Sequence, residues 1–495
     1  MPLSGARRSG VVRPRLASIR LLAHARPGAA ALAALLALAG CESGQVREPS
    51  LPPPHIISGP LIVPSACASR GQSPDHPGEP SLAVDPTNPS QLVASWQENR
   101  SPDDVGNVVA VSHDGGSTWT RAALPSVLTC TGGPYVHATD PWVSIGRDGT
   151  VYLSALVTRP RSSTGATRDI VVSISRDHGA SWEAPVVLES LTAPPAQPDK
   201  EAILADPRRP GLAYAVWVEY PIAGNAQPAV DQVVFARTTD AGRTWSKPAA
   251  IYSGNDEAQQ NQLLMTAGGV LLDVFIEGSS LPGTPHPPPL PVKIRVMRST
   301  NQGQTWSRPV DAASFTYTNA VDPGTGGQLR FFGQQITAAA AGNAIYVAWF
   351  EDHKDFSTIL LARSEDAGLH WRAPQVIVRE KSQAFLPTLA VAGDATVGVL
   401  WFDVRHFTPG SARLDTDVWF STSRNRGSSW TERHAAGPFD LRAVPKGSLG
   451  PFIGDYMGLV GLPDGFAAAF IQARPQSRNG TTDVFFSRIA RASSG

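Results

Sequence analysis

The sequence predicts an all-β protein assembled from similar units, because one short pattern recurs along most of its 495 residues. Glycine and proline are abundant, with 45 and 44 residues, which is typical of many short strands joined by turns. A tryptophan that ends the recurring pattern returns at intervals of 59 to 65 residues, which is enough for four short strands and their turns. These observations predict a β-propeller in which each unit forms one four-stranded antiparallel blade.

The recurring pattern is a box of the form Ser/Thr-x-Asp/Asn-x-Gly-x-x-Trp, and it occurs six times. Its third position is occupied by Asp114, Asp177, Asp240, Asn301, Asp366 and Asn425. The Asp or Asn side chain can accept hydrogen bonds from nearby backbone amides, and the glycine allows a conformation that other residues rarely adopt. The tryptophan then anchors the turn in a hydrophobic seam. We therefore interpret the boxes as structural.

The strands of a unit lie ahead of its box. In the third unit these candidate strands are 203–204, 213–217 and 232–235. Tryptophans recur at matching places in the second strands, at Trp96, Trp217, Trp349 and Trp401. We expect these four side chains to belong to the core.

The number of strands favours seven blades, although the number of boxes is six. After the sixth box, residues 452–473 repeat the first two strands of a unit and residues 483–487 repeat the third, without a box. One repeat length before Trp119, residues 57–64 match the fourth strand of another unit in having a bulky residue, two spacers, Pro and an apolar run. We expect residues 57–64 to supply the missing strand and close the ring, which removes open edges. Six blades, one for each box, are the alternative.

The first 41 residues have the pattern of a secretion signal. Six arginines precede an apolar run at 29–39, no acidic residue appears before Glu42, and the run is too short to span a membrane. It ends at Leu38-Ala39-Gly40-Cys41, which resembles the bacterial lipobox, in which the cysteine is lipidated. We expect export to a bacterial cell envelope with the lipid on Cys41 as the only membrane contact. The alternative is an ordinary signal peptide followed by an incidental cysteine.

Residues 42–56 are rich in proline and lack apolar periodicity, so they are expected to tether the lipid to a propeller domain at 57–495. The two remaining cysteines, Cys67 and Cys130, are expected to pair, because an exported protein meets an oxidising compartment. Two buried free thiols are the alternative.

Charge and motifs exclude several functions. The 42 basic residues equal the 42 acidic ones, so no overall positive field is available to hold nucleic-acid phosphates. No zinc-ligand pair, phosphate-binding loop or EF-hand loop appears, so we expect neither a metal nor a cofactor.

The boxes resemble those of the Asp-box, or BNR-repeat, family, and the resemblance covers nearly all of residues 57–490. Sialidases are its best-known members. The resemblance implies a propeller with the boxes at its bottom rim and any active site on the opposite, top face. Sialidases have six blades, whereas seven-bladed Asp-box proteins include other glycosidases and proteins without enzymatic activity.

The order of strands predicts which residues surround the top of the channel. Chain segments that enter first strands and loops that leave second strands should meet there, and many of them are polar. The first group contains Glu79, Asp140, Asp199, Lys200, Gln262, Gln335, Asp455 and Tyr456; the second contains Glu98, Arg100, Glu219, Glu277, Glu351, Asp352, Asp403, Arg405, Gln472 and Arg474. Converging carboxylates and arginines suit sugar recognition.

The resemblance to sialidases implies a tyrosine nucleophile, a glutamate that activates it, an aspartate acid and base, and three arginines that hold the substrate carboxylate. By position, the nucleophile is Tyr456, Glu219 or Asp455 polarises it, Asp140 is the acid and base, and Arg330, Arg405 and Arg474 form the clamp. Asp403 accompanies Arg405 in substrate binding, or the two form a structural ion pair. The family's Phe/Tyr-Arg-Ile-Pro motif is absent from the first blade, where Glu79-Pro80-Ser81 stands instead.

These features predict an exo-α-sialidase or a related glycoside hydrolase that acts on the terminal acidic sugars of glycans. The alternative is a non-catalytic propeller whose top face binds a glycan or an envelope protein. In both hypotheses nucleic acid is not a partner.

Overall fold

The computed structural model describes most of the chain from Leu51 onward. The described residues are 51–64, 76–101, 104–163, 165–193, 195–222, 231–254, 256–278, 290–317, 320–329, 336–353, 356–378, 380–447, 450–474 and 481–490. The expected signal peptide with Cys41, and the candidate residues Cys67, Arg330 and Gln335, lie outside them. No helix among the described residues is long and apolar enough to cross a membrane.

The chain forms seven four-stranded antiparallel sheets, here called blades 1 to 7. Blade 1 contains β2 (His76–Asp85), β3 (Asn88–Ser101), β4 (Asp104–Ser112) and β5 (Thr120–Ala123). Blade 2 contains β6 (His137–Ile145), β7 (Val151–Thr158), β8 (Ala166–Ser175) and β9 (Val186–Ala193). Blade 3 contains β10 (Ala196–Ala205), β11 (Ala213–Pro221), β12 (Gln232–Thr238) and β13 (Ala249–Ser253).

Blade 4 contains β14 (Glu257–Met265), β15 (Leu271–Gly278), β16 (Leu290–Ser299) and β17 (Val310–Tyr317). Blade 5 contains β18 (Thr337–Ala341), β19 (Ala344–Asp352), β20 (Ser357–Ser364) and β21 (Gln375–Val376). Blade 6 contains β22 (Ala384–Val391), β23 (Val397–Asp403), β24 (Asp415–Ser423) and β25 (Thr431–Asp440). Blade 7 contains β28 (Gly458–Leu462), β29 (Gly465–Ala473), β30 (Thr482–Ala490) and the N-terminal β1 (His55–Ile56). A short hairpin of β26 (Lys446–Gly447) and β27 (Gly450–Pro451) precedes it.

The blades form a closed ring. The first strands of successive blades contact one another, and β28 of blade 7 contacts β2 of blade 1. These seven first strands therefore surround the central axis. The predicted propeller of seven four-stranded blades is confirmed.

The N-terminal segment closes the ring, as predicted, but its strand lies earlier in the sequence than 57–64. Strand β1 pairs antiparallel with β30, with His55 opposite Phe486. After it, the Ser58 hydroxyl donates to Asp483 Oδ1 at 2.8 Å. Gly59, which follows, has a left-handed φ of 55°, a conformation that glycine adopts easily. The ordered propeller thus includes residues 55–56, which the sequence had assigned to the tether.

The segment beyond Gly59 is held by a buried carboxylate. Glu98 Oε2 accepts hydrogen bonds from the backbone amides of Ile62, at 3.0 Å, and Val63, at 3.1 Å. Burial raises the Glu98 pKa, and these amides oppose the rise. Glu98, which the sequence placed among the top-face residues, therefore fixes the N-terminal segment.

The core follows the repeated tryptophans. Trp96, Trp217, Trp349 and Trp401 on the second strands are completely buried. Their predicted place in the core is confirmed.

Each box forms a tight turn with two shared backbone hydrogen bonds. In the second box, the Gly179 amide donates to the Ser175 hydroxyl at 2.8 Å, and the Ser181 amide donates to Asp177 Oδ1 at 2.8 Å. In this box and three others the tryptophan indole also donates to the carbonyl of the box glycine, at 3.1 Å for Trp182 and Gly179. His178, just before the glycine, also has a left-handed φ of 58°, which the sequence pattern did not indicate.

The boxes also receive hydrogen bonds from neighbouring blades. An arginine near the end of a third strand donates to a backbone carbonyl in the box of the next blade at five junctions. The donors are Arg176, Arg237, Arg298, Arg363 and Arg488, and the acceptors belong to Ala241, Gln302, Ala367, Arg426 and Gly115. Between blades 1 and 2, Gln91 Nε2 donates to the His178 carbonyl at 2.9 Å. We call these contacts the inter-blade bonds.

Candidate functional site in the central cavity

A cavity of about 110 Å³ lies where the seven first strands converge. Every blade contributes side chains to it, from its first strand or from the residues directly before that strand. The polar lining residues that matter for its chemistry are Asp140, Lys200, Glu201, Gln260, Asn261, Asp455 and Tyr456. Leu82, Val143, Leu389 and Leu459 supply apolar wall.

Bulges in the first strands place these side chains. The register of pairing shifts near the cavity in the first strand of blades 1, 2, 3, 4 and 6. At each of these five shifts one residue has a left-handed φ; these residues are Glu79, Asp140, Lys200, Gln260 and Leu386. A bulge adds one residue and turns the adjacent side chains away from strict alternation. Positions 79, 140, 200 and 260 are roughly 60 residues apart. This spacing is a sequence signal for the bulged positions, and it could have identified Gln260 and also Glu201, the residue beside Lys200.

Lys200 joins two blades at the cavity. Its ammonium nitrogen donates to Asp455 Oδ2 at 2.5 Å and lies 3.9 Å from Asp140 Oδ1. The Asp455 amide in turn donates to Glu79 Oε1 at 3.2 Å. The structure thus brings Asp140 and Asp455, two predicted site residues, to one lysine.

Glu201 is a further cavity residue that sequence reasoning missed. Its side chain is only 4% exposed, and no other described residue donates a hydrogen bond to its carboxylate oxygens. Burial raises the Glu201 pKa well above its usual value, and the negative charges of Asp140 and Asp199 raise it further, whereas its own backbone amide and Lys200 oppose the rise. The protonated carboxyl is therefore favoured.

Tyr456, the predicted nucleophile, also lines the cavity. Its hydroxyl donates to the Pro141 carbonyl at 3.0 Å, and its ring meets the Trp142 ring edge-on with 5.2 Å between centroids. Burial raises the Tyr456 pKa well above its usual value, and the carboxyl groups of Glu79, Asp140 and Glu201 add to the rise. The phenolate form is therefore disfavoured.

Glu219, predicted to activate Tyr456, is not brought to it. It lies on β11, the second strand of blade 3, and is not among the residues that line the cavity. Burial and the nearby Glu189 raise the Glu219 pKa.

Arg405 and Arg474, the two described arginines of the predicted clamp, form ion pairs with other residues of the protein. Arg405 donates to Asp403 at 2.8 Å and to Glu432 at 2.6 Å, and its guanidinium lies 3.9 Å from the centre of the Trp419 ring. The buried Asp403 also accepts a hydrogen bond from the Ser382 hydroxyl at 2.8 Å. Arg405 and Asp403 thus form the structural ion pair that the sequence left as the alternative. Arg474 lies 3.3 Å from Asp483. Neither arginine lines the cavity.

Two further candidate sites concern metal and sulfur chemistry. In the part of the chain that the structure describes, no three His, Cys, Asp or Glu side chains are arranged to hold a metal ion. Cys130 is disulfide-bonded, and its expected partner Cys67 lies outside the described residues.

Comparison with known proteins gives matches only among solved structures. No protein-family model and no curated protein sequence matches the chain. The chain is similar to a Hadza microbial sialidase (15% identity, 81% of this chain and 76% of that chain, TM-score 0.45) and to a Penicillium chrysogenum α-L-arabinanase (16%, 88% and 98%, TM-score 0.45). It is also similar to the Trypanosoma rangeli sialidase (13%, 88% and 59%, TM-score 0.44), of which it spans less than two thirds. Similarities of this size say nothing about the chemistry of this chain.

Proposed function

We propose that the central cavity binds a saccharide and that the protein is a glycoside hydrolase. One observation supports this most directly: a buried carboxyl that favours its protonated form, Glu201, and an ion-paired carboxylate, Asp455, line the same cavity. Glycoside hydrolysis commonly uses such a pair, with one carboxylic acid protonating the leaving oxygen and one carboxylate acting opposite it. In this proposal Glu201 is the general acid, and Asp455 or Asp140 is the ionised partner.

A tyrosine mechanism is the competing chemistry in the same cavity. Tyr456 can attack only after a carboxylate accepts its proton, and its hydroxyl bonds to the Pro141 carbonyl instead. Glu79, Asp140 and Glu201 are the acids whose charges act on it. Replacement of Tyr456 by Phe therefore separates the two mechanisms.

The narrower prediction is exo-α-sialidase activity on a terminal acidic sugar. Such a substrate needs cations that meet its carboxylate. Arg405 and Arg474 are paired with Asp403 and Asp483, and Lys200 is paired with Asp455. A sialoside is therefore one member of the substrate panel below, beside neutral and amino sugars.

The test is release of a chromophore from aryl glycosides by the full-length protein, with sialosides, hexosaminides, arabinosides and glucuronides in the panel. We expect turnover of at least one glycoside and a loss of about 10²- to 10⁴-fold in Glu201→Gln. Glu183→Gln is the matched control, because Glu183 forms a surface ion pair with Arg176 and does not line the cavity. It should keep full activity.

The outcomes distinguish the hypotheses. If Tyr456→Phe abolishes turnover and Glu201→Gln does not, the tyrosine is the nucleophile and our assignment of the acid is wrong. A folded protein that cleaves nothing in the panel contradicts the hydrolase. The second candidate would then be a non-catalytic propeller that binds a glycan or envelope protein, which is favoured by the bonds that Lys200 and Tyr456 already make within the protein.

We also propose that the protein is exported and lipid-anchored through Cys41. The disulfide at Cys130 supports export, because disulfides persist in oxidising compartments. Growth with an alkyne-labelled fatty acid should label the protein, and Cys41→Ser should remove the label. Label that persists in this variant would contradict lipidation at Cys41.

A further inference from the structure

Three uncharged polar side chains line the central cavity and have no part in the proposed catalysis. Gln260 on β14, Thr337 on β18 and Ser81 on β2 are 7%, 6% and 5% exposed. Most buried polar groups have hydrogen-bond partners within the protein. The partners of these three side chains therefore show which hydrogen bonds each can still make with a ligand.

Gln260 is fixed with its side-chain nitrogen unused. The backbone amide of Ile336, which directly precedes β18, donates to Gln260 Oε1 at 3.2 Å. Because a backbone N–H can only donate, this bond identifies the oxygen of the side-chain amide. The nitrogen, Nε2, makes no hydrogen bond with any residue that the structure describes. Gln260 therefore offers a ligand two N–H donors.

Two hydroxyl groups add to this set of donors. The Leu389 amide donates to Thr337 Oγ1 at 3.0 Å, so the hydrogen of the Thr337 hydroxyl remains for a ligand. Ser81 Oγ is buried and has no partner in the described part of the chain, so it can donate or accept. Blades 1, 4 and 5 thus present neutral donors that suit the oxygen atoms of hydroxyl groups.

The charged side chains of the cavity disfavour a charged ligand. Lys200 is the one cation among the described lining residues, and it lies 2.5 Å from Asp455 and 3.9 Å from Asp140. A ligand carboxylate would bring a third negative charge to this lysine. A ligand ammonium would find the position between the two aspartates occupied by Lys200, and Glu201 favours its uncharged form. Burial of either ion without a matched partner is costly.

We propose that the saccharide held in the central cavity is uncharged and that Gln260 selects it by donating to its hydroxyl oxygens. This inference rests on the proposed function, which supplies the saccharide, and Glu201 keeps its proton in both. The hydroxyl groups of blades 1 and 5 meet further oxygens of the ligand. The rings of Trp142 and Tyr456 give the C–H face of the sugar a surface to pack on.

Calorimetric titration of the full-length protein tests the charge preference with two series of probes that each keep one ring shape. The series are D-glucose, D-glucosamine and D-glucuronic acid, and D-galactose, D-galactosamine and D-galacturonic acid. In the series that binds, we expect the neutral sugar to bind about tenfold or more tightly than the amino sugar or the uronic acid. A charged sugar that binds as tightly as its neutral counterpart overturns the inference.

Gln260→Met tests the assigned donor. Methionine has a similar length but lacks the two N–H donors and the oxygen that accepts from Ile336, so affinity for the neutral sugar should fall about fivefold or more. Gln383→Met is the matched control, because Gln383 Oε1 accepts from the Val321 amide at 3.1 Å and Gln383 does not line the cavity. It should bind the neutral sugar as the wild type does. Thermal unfolding verifies that both variants are folded.

Deoxy analogues of the neutral sugar separate a direct contact from a change in the shape of the cavity. Removal of the hydroxyl that meets Gln260 should weaken binding to the wild type about fivefold or more and change binding to Gln260→Met by less than about twofold. If no deoxy analogue distinguishes the two proteins in this way, the role assigned to Gln260 is wrong.

The results also separate this inference from the proposed function. If the glycoside panel shows turnover only of a sialoside, a glucuronide or a glycoside with a free amine, the saccharide site stands and the neutral preference is wrong. If only glycosides are recognised and no free sugar binds, kcat/KM for neutral and charged glycosides replaces affinity in the same comparisons. If no probe binds and no glycoside is cleaved, both proposals fail.

Discussion

Replacement of Glu201 by Gln is expected to stabilise the protein, although it removes a residue of the proposed site. Glutamine keeps the shape of the side chain and cannot ionise. Its amide can also donate to a neighbouring carboxylate such as Asp140 or Asp199, whose charges act on this position. Burial of a carboxyl to which no other residue donates a hydrogen bond lowers the free energy of unfolding, so its replacement should raise that free energy.

The gain should depend on pH with a definite sign. Because the folded-state pKa of Glu201 lies above the ordinary glutamate pKa of 4.5, the unfolded chain releases this proton first as pH rises. Below pH 4.5 the carboxyl is protonated in both states and costs little. Above it, the wild type loses up to about 1.4 kcal/mol per pH unit relative to Glu201→Gln until the folded-state pKa is reached.

Thermal unfolding at pH 4.5, 6 and 7.5 measures this difference. Unfolding entropy is about 2 cal/mol/K per residue, so for a propeller of this size 1 kcal/mol shifts Tm by roughly 1 °C. We expect the two proteins to differ least at pH 4.5 and Glu201→Gln to unfold at the higher temperature above it, with the gap growing by up to about 1–2 °C per pH unit until the folded-state pKa is reached. Glu183→Gln, on the surface, should change the free energy of unfolding by less than about 0.5 kcal/mol. A Gln variant that is less stable at pH 7.5, or a gap that does not grow with pH, would refute the reasoning that Glu201 is buried without a partner.

Three other predictions concern the ring. Ile57→Ala should lower the free energy of unfolding, measured in urea, by about 2–4 kcal/mol, because the Ile57 side chain is 4% exposed at the place where the ring closes. Pro60→Ala on the surface should have little effect. Equal effects of the two substitutions would contradict ring closure by this segment. Arg298→Ala should lower the free energy of unfolding by about 1 kcal/mol, because the 2.6 Å hydrogen bond to the Ala367 carbonyl is lost. Arg298→Lys should restore part of this free energy. An unchanged urea midpoint in Arg298→Ala would show that the bond contributes nothing. Hydrogen bonds from Ser181 lower the Asp177 pKa to about 2, so its stabilisation is present above pH 3.8 and is lost as pH falls through 2. Asp177→Asn should therefore show a shallower acid-unfolding curve below pH 4, and a curve parallel to that of the wild type would contradict this.

The fold was largely readable from the chain because a propeller repeats its local chemistry. Boxes at regular spacing and tryptophans at matching places predict blades, and the unit without a box predicts a strand borrowed from the N-terminus. The position of that strand, at 55–56 and not at 57–64, depends on pairing with β30 and on the bond between Ser58 and Asp483. Those are contacts between the two ends of the chain, which a local match to another blade does not contain.

The site was readable only in part. Sequence position predicted Asp140, Asp455 and Tyr456 near one opening, and the structure places these three side chains around one cavity. It also grouped Glu219 and Arg405 with them, although neither side chain lines the cavity.

The amino-acid sequence by itself determined the architecture of this protein, because the architecture rests on turns and hydrophobic positions that recur at fixed spacing. The tertiary structure alone decided which charges face each other. Lys200 and Asp455 are far apart in the chain, and the bulges at Asp140 and Lys200 set the direction of their side chains. Glu201 is distinguished by its burial and by the lack of a hydrogen-bond donor from another described residue. Both depend on the assembled ring, so no local sequence pattern predicts them.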